Sequence, residues 1–265
     1  MMRRLHSNRY PEPDDRAREG FDGLELEGDM IPSTGDEIPW LRPFGSAIPG
    51  PALAGMADEG PEETRTLRRA RELNAIGRRL DAVLLLRRFL DDNPRSAGER
   101  LLLAELLDAG GEEAEALDEL TRALEDATDA APVLVHRGAI LTRSGRAAEA
   151  ERDLHAAIRQ RPDYAAAHFQ LGLALLRLGR GAEGVSAFRN ALTQSPDDPE
   201  ATYYLGEALL ATNDLTPALS AFERAAALAP HDPRCFKLLG RVLDRMGRTE
   251  EAMEMHRKGR EAARR

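Results

Sequence analysis

The chain has 265 residues, enough for one or two domains, and its 42% hydrophobic content suffices for a core. Aromatic content is only 5% and there is one cysteine, so the core must be mostly Leu and Ala, and no intramolecular disulfide can form. The net charge of −9 leaves no basic domain to neutralise phosphates, which excludes nucleic acid as a general partner, and apolar runs such as 101–107 fall well short of the roughly 20 residues of a membrane span.

Residues 1–62 hold 8 of the 16 prolines and the single tryptophan, with 6 Arg against 13 Asp and Glu, a net charge of −7. No apolar periodicity runs through them, so the segment is expected to be a disordered acidic tail, unable to bury enough surface to offset its ordering entropy. The two early arginines are followed by no apolar stretch, which argues against a secretory signal. Together with the lone Cys235 this points to a reducing cytoplasm. Residues 45–63 read as a linker running into a helix start.

From residue 63 a fixed period of 34 takes over: Gly138, Gly172, Gly206 and Gly240, preceded in register by Ala104 and Ala70. The spacing predicts six units, 63–96, 97–130, 131–164, 165–198, 199–232 and 233–265, each a pair of helices. Three residues after the small position stands Leu73, Leu107, Leu141, Leu175, Leu209 or Leu243. Seven after it comes a residue suited to a left-handed turn, Gly77, Gly111, Gly145, Gly179, Asn213 or Gly247. Twelve after it the chain is small again, at Ala82, Ala116, Ala150, Gly184, Ala218 and Ala252, so two helices can approach closely while Leu154, Phe188 and Phe222 fill the space alongside. Asp198–Pro199 and Asp232–Pro233 carry the chemistry of helix starts, whereas the junction near 128–132 lacks a proline at Thr128 and is expected to be looser.

With residues 167–196 and 201–230 as its best units, the chain resembles the tetratricopeptide repeat family over about three quarters of its length. The resemblance implies an all-α, right-handed superhelical solenoid of about six helix-turn-helix repeats. It also implies a non-catalytic adaptor that binds a partner peptide in a concave groove lined by the first helix of each unit. Some family members clamp the acidic C-terminal tails of chaperones through lysine and asparagine on successive units. Here Leu67, Arg71 and Leu102 stand at those positions, so that activity is not expected.

Reading the outward columns of the first helices, the expected groove residues are Arg68, Arg71, Leu102, Val135, His136, Phe169, Gln170, Leu173, Tyr203, Tyr204, Glu207, Lys237 and Arg241. Their order predicts a protein or peptide ligand with bulky apolar residues in its centre and acidic residues toward the last unit, since aromatic anchors dominate interfaces. The bland alternative is that the aromatics close the repeat interface and the basic residues solvate a terminal cap. The tail supplies a second candidate ligand in residues 21–31 and 36–44, which combine acids with Phe21, Leu24, Leu26, Ile38, Trp40 and Leu41. An alternative role is therefore that of a regulatory or substrate-delivery subunit of an enzyme complex, autoinhibited by its own tail in the groove.

Gly179, Gly181 and Gly184 spell the dinucleotide pattern G-x-G-x-x-G. Such a phosphate loop needs a preceding strand. Here the preceding residues are helical in pattern, and two of the three glycines belong to the repeat columns. The six histidines never pair at metal-ligand spacing, and the common nucleophile motifs are absent. No cofactor, metal or catalysis is expected.

Overall fold

The structure, a computed structural model, describes residues 65–264. The expectations for the tail, including its disorder and its docking, lie outside these residues. Among the described residues there are twelve helices and no strand: α1 Arg65–Ala75, α2 Arg79–Asp92, α3 Ala97–Asp108, α4 Glu113–Asp126, α5 Ala131–Arg143, α6 Ala147–Gln160, α7 Ala165–Arg177, α8 Gly181–Gln194, α9 Pro199–Ala211, α10 Leu215–Leu228, α11 Pro233–Arg245 and α12 Thr249–Ala262. Each odd-numbered helix packs on the even-numbered helix after it, and the six pairs stack in chain order as a solenoid.

One turn recurs in every pair. The turn-column glycines have φ between 72° and 82°, and Asn213 takes the same left-handed geometry at φ 66°. Just beyond it, the backbone N–H groups of Arg78, Glu112, Arg146, Arg180, Asp214 and Arg248 donate to the carbonyls of the leucine column, Leu73 through Leu243, at 2.8–2.9 Å. This is the helix-ending arrangement that a left-handed residue makes possible, and it turns the chain back in the same way six times. The Gly179–Gly184 pattern is thereby accounted for. Helix α7 precedes it, Gly179 is the turn residue, and Gly181 and Gly184 lie in α8.

The caps form as the residues dictate. Asp198 Oδ1 accepts from the N–H groups of Glu200 at 2.9 Å and Ala201 at 3.1 Å, and Asp232 Oδ1 accepts from Arg234 N–H at 2.9 Å. At the junction before α5, Asp129 Oδ1 accepts from Ala131 N–H at 3.1 Å. Two clusters of buried residues meet near this junction, at the partly buried Leu117 and Leu124.

The small column has a steric cause. A Cβ at Gly172 would lie 2.6 Å from the Phe188 ring, one at Gly206 would lie 2.7 Å from Phe222, and one at Gly138 would lie 2.9 Å from Leu154. All three bulky partners are 0% exposed. Gly172→Ala is therefore expected to destabilise by about 1–3 kcal/mol through overpacking, even though alanine is the better helix former. A Cβ at Gly240 meets the partly exposed His256 imidazole, whose 3.0 Å contact with the exposed Asp244 can yield as the ring swings toward solvent. Gly240→Ala should cost clearly less, and urea unfolding of the two variants side by side tests this ordering.

Candidate functional site

First helices touch one another directly from α1 through α9, so their outward columns form one continuous face. The thirteen expected groove residues, eleven on these helices and Lys237 and Arg241 on α11, fall into three groups by exposure. Arg68, Arg71, Lys237 and Arg241 are exposed, while His136, Phe169 and Glu207 are half-buried. Leu102, Val135, Gln170, Leu173, Tyr203 and Tyr204 are buried, Val135 completely and the two tyrosines to 8% exposure. These six are mainly packing residues, leaving at most an edge for a ligand, because a first-helix side chain in these columns also has to fill space within its own pair and against the neighbouring pairs.

The aromatic residues join into one chain of ring contacts across α7 to α10. Phe169 meets Phe188 and Tyr204 edge-on, each at 5.8 Å between centroids, and Phe188 stacks on Tyr204 at 6.0 Å. Tyr203 meets Tyr204 at 5.2 Å and Phe222 at 5.7 Å, both edge-on. Offset and edge-to-face pairs at these distances are favourable beyond their buried area. Phe169 is the member of the series with substantial surface left over.

Two half-buried acids share the face. Burial pushes the Glu105 carboxyl up to about 7, against the pull of the Arg71 guanidinium. Its Oε1 lies 3.1 Å from His136 Nε2, and burial pushes that imidazole down to about 4. Both shifts favour a neutral hydrogen-bonded pair over an ion pair at intermediate pH. One unit from the C-terminal end, burial lifts Glu207 to about 7, with the Tyr203 hydroxyl donating to its Oε1 at 3.3 Å and Arg234 and Arg241 opposing the shift. Burial likewise raises Tyr203.

Arg234 ties the last two units together. Its guanidinium lies 4.9 Å over the Tyr203 ring, and its Nη2 donates to Glu200 Oε1 at 2.5 Å and Asp232 Oδ2 at 2.7 Å. The other oxygen of Glu200 is buried and makes no hydrogen bond. Arg245 donates to Asn213 Oδ1 at 2.6 Å. The basic cluster of the last unit thus divides. Arg234 and Arg245 are engaged within the protein, while Lys237 and Arg241 form no ion pair among the described residues. Of these residues, Glu105 stands in the outward columns read from the sequence and Arg234 in its basic last unit, whereas Glu200 was not expected on this face. The signal for Glu200 was its place at the second position of α9, the position that Arg234 holds in α11.

Cys235 is 1% exposed, and burial pushes its thiol up to about 12, so it is an inert packing residue. Among the described residues no group of three or more His, Cys, Asp or Glu side chains is placed to hold a metal ion, and no helix is long and apolar enough to cross a membrane.

The tetratricopeptide repeat family model matches residues 138–199, 170–233 and 206–255. No curated protein sequence matches the chain. Among solved structures, the chain is similar to MamA (residues 41 to the end) from Desulfovibrio magneticus RS-1, at 22% identity and a TM-score of 0.59, covering 63% of this chain and 95% of that one. It is also similar to pilF of Pseudomonas aeruginosa, at 21% identity and a TM-score of 0.64 over 73% and 86% of the two chains. A third similar structure is YrrB, a repeat protein described as having an unusual peptide-binding site, at 23% identity and a TM-score of 0.56 over 67% and 91%. The recurrent left-handed turn, the glycine packed under a bulky partner and the matching family model agree: residues 138–255 are repeats of the tetratricopeptide repeat family, and the same helix pairing and turn recur in the units before them.

Proposed function

We propose that the chain is a non-catalytic adaptor that binds an extended or helical peptide along its first-helix face. The observation that carries this reading is the order of surface along that face: exposed Arg68 and Arg71 at one end, half-buried Phe169 in the middle and exposed Lys237 and Arg241 at the other. A peptide with an apolar centre and an acidic residue toward the last unit fits this order, as an apolar anchor in a partly desolvated pocket supplies affinity and rim charges supply register. The described peptide-binding site of YrrB supports the same use of the fold.

The test uses the full-length chain as bait in a lysate, beside Phe169→Ser and the charge reversal Lys237→Glu/Arg241→Glu. Substituting the buried tyrosines would confound binding with unfolding, whereas the two cations are exposed and their reversal leaves the packing intact. Partners retained by the wild type are expected to be lost from both variants while the thermal midpoint of the charge variant stays unchanged. An identical set of partners on all three baits would remove the groove from the function. Whether a retained partner's enzymatic activity changes on adding the chain then separates adaptor from regulatory subunit.

A further inference from the structure

The first pair differs from the other five on the outer face of its second helix. Leu80 and Leu84 stand one turn apart on α2 and are 67% and 64% exposed, with Ile76, 67% exposed, in the turn just before. In the other five units the Leu80 position holds Ala, Thr or Glu and the Leu84 position holds Asp, Arg, Ser or Glu, all exposed. Solvent therefore reaches this face in every unit, and only the first unit places bulky apolar groups there. Three of the five large hydrophobic residues that the described chain exposes belong to this stripe. Single exposed leucines are ordinary, but a contiguous apolar stripe with a polar rim marks an interaction surface.

The rim is basic. Residues 65–96 carry nine arginines against four acidic residues, a surplus of five positive charges in a chain whose net charge is −9. Arg78, Arg87 and Arg88 are exposed around the two leucines. Arg78 is paired with Asp81 at 2.7 Å and Arg87 with Glu115 at 2.5 Å, and Arg88 lies in the next turn after Leu84. Two of these arginines are ion-paired, but the first unit keeps its positive surplus, and a second copy of this surface would bring that surplus face to face with itself, which like-charge repulsion disfavours. An occupant that is both acidic and apolar meets neither obstacle.

We propose that the Leu80–Leu84 face of α2, with Ile76 and its arginine rim, is a docking surface for an acidic polypeptide segment carrying closely spaced bulky apolar side chains. It is separate from the first-helix groove and does not depend on that groove being used. The chain's own sequence contains a run of this chemistry at residues 21–31, FDGLELEGDMI, in which Leu24 and Leu26 alternate with Glu25 and Glu27.

The probe is a fluorescein-labelled synthetic peptide of that eleven-residue sequence, titrated into full-length protein and followed by anisotropy. Saturable binding is expected, weakening at raised ionic strength because the rim contributes by charge. It should weaken at least tenfold in Leu80→Ser/Leu84→Ser, whose exposed substitutions leave the helical circular dichroism unchanged, and should be untouched by Phe169→Ser. Binding that appears only after Leu24 and Leu26 of the protein itself are changed to serine would identify the same-chain run as resident occupant and also support the proposal. A peptide that binds neither form, or binds the Leu80/Leu84 variant as well as the wild type, overturns it. So does a dimer seen by light scattering and lost in that variant, which would assign the face to a second copy. Sedimentation with phosphatidylserine vesicles, lost in the variant while peptide binding is absent, would assign it to lipid instead.

Discussion

Phe188→Ala is expected to lower the unfolding free energy by about 3–5 kcal/mol, the largest single loss among these variants. The side chain is 0% exposed and fills the space over Gly172, whose missing Cβ is what admits the ring. It also stacks on Tyr204 of the following unit at 6.0 Å and meets Phe169 at 5.8 Å. Truncation therefore removes packing within one pair and between two neighbouring pairs at once, and in a stacked array the interface between neighbours carries much of the stability. Phe188→Leu, which installs the residue that Leu154 supplies at the same position one unit earlier, should cost markedly less. Urea unfolding of the three proteins measures both. A loss below about 1 kcal/mol for the alanine variant would mean that the surrounding helices collapse into the vacated space, and the ring series would then not be the rigid centre described above.

The repeat was legible because each column answers one steric demand. Gly77, Asn213 and their counterparts had to take positive φ, and Gly138 or Gly172 had to lie under a bulky side chain, so residue type alone revealed the geometry at a fixed period. The groove was less legible, and for a physical reason. Tyr203, Tyr204 and Val135 stand in outward columns, yet all three are buried: Tyr204 packs against Phe169 and Phe188 of the preceding pair, and Tyr203 against Phe222 of its own pair and the Arg234 guanidinium of the next. Spacing reports which way a residue points but not how much of it a neighbour hides. The same limit applied to charge. Lys237 and Arg234 are three residues apart in one cationic helix, but only contact across units, with Glu200 and Tyr203, takes Arg234 into the structure and leaves Lys237 to solvent. Conversely, the Leu80–Leu84 stripe is an anomaly of two columns that are otherwise small, polar or charged, and the repeat pattern by itself gives those columns no task.

Replacing Glu207 with glutamine should stabilise the protein at pH 8 by up to about 3 kcal/mol and leave it unchanged near pH 4.5, since each unit of pKa shift corresponds to about 1.4 kcal/mol. Burial raises this carboxyl from 4.5 to about 7, with Tyr203, Arg234, Arg241 and Glu200 as its charged and titratable neighbours. A carboxyl whose folded pKa lies above its unfolded value binds its proton more tightly when folded. Folding thus bears no penalty from it below pH 4.5, and stability falls as pH climbs from there toward 7. Glutamine keeps the shape and an acceptor for the Tyr203 hydroxyl but has no charge to bury. Glu105 adds a slope of the same sign, whereas His136, held near 4 by burial, adds one of opposite sign as pH falls below its ordinary 6.5. The difference between wild type and variant, taken from urea unfolding at a series of pH values, cancels both and isolates Glu207. A difference that does not change with pH would mean that solvent reaches the carboxylate, and the groove at the last two units would be open and wet. A difference that grows through pH 4.5–7 would show that burial makes the folded chain hold this proton more tightly than the unfolded one.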